Sequence, residues 1–155
     1  MKLRLIVFGH KQPAWMTAAY DDYARRLPRD FALDLIELKA EPRDRGKSTE
    51  QILAAEAQRI APLTKGFHVV ALDERGEQWT TTGLAGALSN WRDRGLPVAF
   101  VVGSADGIDP RFRSDADVVL ALSALTLPHG LARVLLTEQL YRAVSVLLGH
   151  PYHRE

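Results

Sequence analysis

Two rhythms of hydrophobic and polar positions alternate along this chain, one of period two and one near 3.6 residues. Leu3–Gly9 is a short continuous apolar run and reads as a buried strand. Pro13 suits the first turn of a helix that the segment RLPRD stops at about Leu27. Leu33–Lys39 alternates as a half-buried strand should. A polar, mobile connection follows over Ala40–Lys47, and Ser48 with Gln51 forms a capping box that opens a helix to about Ala61. Phe67–Asp73 is a third strand, and Thr80–Thr82 caps a helix ending near Gly95. Pro97–Gly103 and Val118–Leu122 are the fourth and fifth strands. A long helix runs from about Gly130 to Leu148, and the tail reads GHPYHRE.

Strands that alternate with helices predict one α/β domain over residues 1–155: a mostly parallel sheet with helices on both faces. Ligands of such sheets sit beyond the carboxyl ends of the strands. Leu72–Arg75, Gly103–Gly107 and Leu122–Gly130 are therefore candidates for one shared rim. The last helix is apolar on more than one stripe, through Leu131, Val134, Leu135, Leu140, Tyr141, Val144, Leu147 and Leu148. One sheet face does not cover so broad a surface, which predicts a homodimer through this helix.

Composition narrows the classes. The 155 residues are 46% hydrophobic and 25% charged, the balance of a soluble globular protein. The 20 basic residues against 19 acidic ones neither announce a nucleic-acid partner nor exclude one. Cysteine is absent, which removes disulfides, thiolate metal sites and thiol nucleophiles. No run approaches the ~20 apolar residues of a membrane span. The opening MKLRLIVFGH reads as a first strand rather than a signal peptide, so a cytoplasmic location is expected.

Candidate chemistry sits in four places. Arg25, Arg26 and Arg29 form one basic cluster, and Arg43, Arg45 and Lys47 a second; both could hold phosphates, or be a solvated helix end and a polar loop. Gly103-Ser-Ala-Asp-Gly107 follows a strand, where backbone can approach a ligand closely, although a plain turn has the same spacing. It is neither GxGxxG nor a P-loop, and Ser104 lacks the elbow of a serine hydrolase. LSALTLPHG over Leu122–Gly130 stays apolar for a loop, so it is either buried or lines a pocket. The tail offers a proton acceptor in His153, a stacking ring in Tyr152 and an anion fork in Arg154, unless it is a frayed end. The five histidines are scattered and no metal site is expected.

Taken together, LSALTLPHG, LLTEQLYRA and HPYHRE resemble the bacterial RlmH family, SPOUT-superfamily methyltransferases of large-subunit ribosomal RNA. The likeness spans the chain: the MKLRLIVFG start, the RGK loop, the LD of the third strand, the VVG strand end and the terminus. It implies a C-terminal trefoil knot, S-adenosylmethionine as cofactor and a homodimer. The implied reaction is methylation of N3 of pseudouridine 1915 in helix 69 of 23S rRNA, on the assembled ribosome. Carried over by position, the cofactor pocket would use Leu72, Gly103, Leu122, Ser123, Ala124, Leu125, Thr126 and Leu127. Tyr152, His153 and Arg154 would form the catalytic, RNA-facing surface, reaching the partner's cofactor. Arg25, Arg26, Arg43, Arg45 and Lys47 would touch RNA; His129, next to the cofactor loop, is a second candidate base, although its first expected role is structural, at the start of the last helix. Relatives carry GGPEG where this chain has GSADG: both outer glycines remain, and Asp106 keeps the acid on a shorter stem. The rivals are a non-catalytic nucleotide- or ribosome-binding module and a Rossmann oxidoreductase; the latter lacks GxGxxG and its acidic ribose partner.

Overall fold

The apolar runs pair into one five-stranded parallel sheet of order β2-β1-β4-β3-β5. The computed structural model describes residues 1–9, 11–43 and 46–154. Its strands are β1 (Leu3–Phe8), β2 (Leu33–Leu38), β3 (His68–Gln78), β4 (Val98–Val102) and β5 (Val118–Ala121). Its helices are α1 (Ala14–Arg26), α2 (Thr49–Thr64), α3 (Thr81–Asp93), α4 (Pro110–Asp115) and α5 (His129–Leu148). Among the described residues no helix is long and apolar enough to cross a membrane.

Side chains leave each strand alternately up and down, which builds two cores. Leu3, Leu5, Val7, Val70, Leu72, Val98, Phe100 and Val102 face α1, α3 and α5 with Tyr20, Leu88, Trp91 and Leu136. Ile6, Phe8, Ala71, Ala99 and Val101 face the other way, onto Ile60 of α2 and Ile108. Central β4 is buried along its whole length, as a parallel strand covered on both faces must be. Edge strand β2 is only half-buried.

Local chemistry sets the element ends. The Ser48–Gln51 capping box forms with both of its bonds, and Thr80 accepts from the Gly83 amide at the start of α3. Helix α2 runs three residues past Ala61 to Thr64, with Pro62 inside its last turn. Helix α4, which hydrophobic periodicity did not reveal, is opened by Asp109, whose carboxylate accepts from the Arg111 and Phe112 amides, with Pro110 behind it.

Three expectations need correction. Strand β3 does not stop at Asp73 but continues to Gln78, because its pairing with β5 slips: Leu72 and then Glu77 both oppose Leu120. Gly76 makes the slip possible, since a Cβ there would lie 2.5 Å from the Val119 carbonyl oxygen. The connection Ala40–Lys47 is tied down in its described part, by Arg43 and by a Lys47–Glu41 ion pair. The breadth of apolar surface on α5 is largely met inside one chain, where Leu136, Leu140, Ala143 and Val144 are buried under α1, α3 and the sheet.

Candidate active site

Where β3 slips against β5, and at the carboxyl ends of β4 and β5, lies a cleft of about 540 Å³. Its walls are Leu72–Arg75, Val102–Ile108 and the stretch from Leu122 to His129, so the three strand-end segments do share one rim. That volume suits a nucleoside-sized ligand. Leu72, Val102, Ile108, Leu122 and Leu127 supply apolar surface, and Asp73, Glu74 and Asp106 supply carboxylates.

The glycine segment is a tight turn that folds back on itself. The Gly107 amide donates to the Ser104 carbonyl at 2.9 Å, and Gly107 has φ +92°, which favours glycine. A Cβ on Gly103 would stand 2.3 Å from the Gly107 carbonyl oxygen. Gly103 is therefore required by the turn itself, not only by an incoming ligand. The Ser104 hydroxyl donates to Glu56 at 2.6 Å, and Glu56 is 2% exposed. Across the cleft, Thr126 donates to Glu74, and Arg113 pairs with Asp73 at 3.2 Å. These bonds fix the rims relative to one another.

His129 opens α5 and lines the cleft. Burial, aided by the charges of Arg133 and Arg43, holds its imidazole below its ordinary pKa, so it is neutral at pH 7. Arg133 is 5% exposed and ties the start of α5 to the rim of the sheet, through Glu37 at 2.9 Å and the Gly9 carbonyl at 3.0 Å. Among the described residues no group of three or more His, Asp or Glu side chains is placed to hold a metal ion.

Of the cofactor candidates, Leu72, Gly103, Leu122, Ser123, Leu125, Thr126 and Leu127 line the cleft, whereas Ala124 lies just outside the lining. The tail is not at the cleft of its own chain. It forms a 3-10 turn over Pro151–Arg154 at the far end of α5, whose 20 residues span about 30 Å. There Tyr152 packs against Tyr141 with ring centroids 4.5 Å apart and ring planes inclined by 58°, lies under the Arg142 guanidinium and donates to Glu138 at 3.1 Å. Burial, hydrogen bonding with Tyr23 and the Glu138 charge all push its phenol above the ordinary range. Buried His153 Nδ1 has no hydrogen-bond partner. Arg25 and Arg26 sit near Tyr23 at the end of α1, each paired with Asp22. The candidate residues thus divide between two poles. Arg43 and Lys47 lie near the cleft, Arg25, Arg26 and the tail lie opposite, and Arg45 is outside the described residues.

The sequence pattern marks neither Glu56 nor Arg113, and marks Asp73 and Glu74 only as part of the Leu72–Arg75 segment. Their partners lie 40 to 52 residues away, so no local spacing marks them.

Comparison with known proteins agrees with this geometry. The family described as "Predicted SPOUT methyltransferase" matches residues 1–153. A Nitrosospira multiformis protein named "Ribosomal RNA large subunit methyltransferase H" is 56% identical over 155 residues, covering 99% of both chains. A Burkholderia multivorans protein of the same name is 52% identical with the same coverage. Among solved structures, a probable methyltransferase from Bordetella pertussis Tohama I superposes with TM-score 0.59 at 16% identity, covering 92% of this chain and 96% of that one. That last likeness speaks for the fold alone. On the full-length matches, the chain belongs to the SPOUT methyltransferases, in the family of ribosomal RNA large subunit methyltransferase H.

Proposed function

We propose that this protein transfers a methyl group from S-adenosylmethionine to N3 of pseudouridine 1915 in helix 69 of 23S rRNA, on the assembled ribosome. The observation that carries the reading is the three-walled cleft on a family member's fold. The lining fits the cofactor: apolar walls and close backbone suit an adenosine, and the carboxylates of Asp73 and Glu74 suit a sulfonium cation. When bound, the sulfonium supplies an electrophilic methyl group. Leu72, Gly103, Leu122, Ser123, Leu125, Thr126 and Leu127 would hold it.

The acceptor N3–H is a poor nucleophile until its proton leaves, so the chain must supply alignment and a proton acceptor. An imidazole is the side chain suited to that task near neutral pH. His153 takes the proton in this reading, and Arg154 stabilises the resulting anion or a nearby phosphate. The ring of Tyr152 is already occupied by Tyr141 and Arg142, so its part is to anchor the tail rather than to stack on a base. Because the tail is about 30 Å of helix away from its own cleft, transfer needs a second copy whose tail meets this cleft. Exposed Leu135 on α5 and Trp15 on α1 support a homodimer. Arg25 and Arg26, beside the tail, would then approach RNA together with the partner's cleft. The family reading also carries one domain over 1–155, a cytoplasmic location and a trefoil threading of the C-terminal part.

The test is paired. Calorimetry with S-adenosylmethionine, NAD and ATP should show binding of the first only. Purified protein should then label unmodified 70S ribosomes, and not free 23S rRNA, with the donor's methyl group. Binding of NAD or ATP in its place, or no transfer to ribosomes, would overturn the reading.

A further inference from the structure

Arg43 belongs by sequence to a basic loop, but its guanidinium points at the glycine turn. Its Nε donates to Asp106 at 2.7 Å, its Nη2 to the Ser104 hydroxyl at 2.9 Å, and its Nη1 to the Glu41 carbonyl at 3.0 Å. Behind this fork lies Glu56, which accepts from Ser104 at 2.6 Å and from the Glu41 amide at 3.0 Å. One planar fork therefore grips two residues of the five-residue turn, while a buried carboxylate grips the serine from below. Lys47, its basic neighbour, pairs with Glu41 and does not reach the turn.

We propose that Arg43 is a positioning residue of the methyl-donor pocket: through Asp106 and Ser104 it holds the glycine turn in the shape that receives the donor, and its role is donor capture rather than RNA contact. This rests on the proposed function of the cleft. A partly exposed ion pair contributes little to global stability. Its effect is local: a two-pronged guanidinium contact fixes orientation as well as charge, which a lysine cannot reproduce. A turn freed from this grip must be ordered by the ligand itself, which weakens binding. The aspartate of GSADG fits this role, since its short stem meets Arg43 directly.

Calorimetry of S-adenosylmethionine binding to Arg43→Ala, Arg43→Lys and Asp106→Asn, in the ribosome-free protein, tests the proposal. The dissociation constant should rise about tenfold for Arg43→Ala and Asp106→Asn, the scale of one charge-assisted hydrogen bond. Arg43→Lys should fall between them and wild type. The double variant Arg43→Ala/Asp106→Asn should be no worse than Arg43→Ala alone, because the contact that Asp106→Asn removes is already lost there. Ribosome affinity, measured by sedimentation at saturating donor, should stay unchanged. Unchanged donor binding in both single variants overturns the proposal, as does a loss confined to ribosome affinity, which would make Arg43 a phosphate ligand. Should Arg43→Ala fail to fold, the near-isosteric Asp106→Asn alone decides. A wild-type protein that binds no donor would instead overturn the proposed function.

Discussion

His129 joins the cleft to the core, and its lowered pKa makes a definite statement about acid stability. The folded state resists protonation there, so between the ordinary imidazole value of about 6.5 and the lower folded value the unfolded chain binds more protons. Stability contributed by neutral His129 is therefore complete above pH ~6.5 and is lost as pH falls through the folded value. Thermal melts over that window should show a decline, and His129→Gln should flatten it; an identical decline in both proteins would assign it elsewhere. Gly103 makes a second prediction at this scale. Gly103→Ala places a Cβ 2.3 Å from the Gly107 carbonyl oxygen, so the turn must open. Donor binding should fall at least about tenfold, with a loss of roughly 1–3 kcal/mol in denaturant melts. Gly103 and the apolar run after Leu122 were legible because each breaks a local rule: glycine after a strand, and hydrophobic residues in a loop. The partners of Arg43 were not legible, since Ser104 and Asp106 lie 61 and 63 residues away and no sequence period links them.

Elements were read best where chemistry at their ends is local. The Ser48–Gln51 box and the Thr80 cap are contained in four residues each, and both helices begin where those residues say. The sequence pattern ends β3 early because the second half, ERGEQ, has no apolar alternation; it is a strand by virtue of β5 lying beside it. The tail turn was likewise invisible, because it is ordered by Tyr141, Arg142 and Glu138 of the preceding helix. That packing bears on what the tail does. Deleting residues 152–155 should lower methyl transfer to 70S ribosomes by at least ~100-fold, the scale of a lost acid–base group. Binding of S-adenosylmethionine should hold, because the cleft is at the other end of α5. Loss of donor binding in the truncated protein would place the tail in cofactor capture instead.

On the scale of the molecule, the alternation of strands and helices announced a parallel sheet covered on both faces, but nothing along the chain states the order β2-β1-β4-β3-β5. That order is decided by which crossovers bury α1, α3 and α5 on one face, a competition among distant contacts. The same packing separates core from interface on α5. Val144 is 1% exposed, so a charge there tests folding, whereas Leu135 is 37% exposed and faces outward. Leu135→Glu should convert a dimer into a folded particle near 17.3 kDa by light scattering, and an unchanged dimer would move the interface off this helix. The placement of α5 over α1 has one more consequence, for the growing chain. Met16, Ala19 and Tyr20 look toward a helix that is translated more than a hundred residues later, and Gly130 closes directly on Met16. Until then the nascent polypeptide carries a bare greasy stripe, a site for chaperone capture during synthesis.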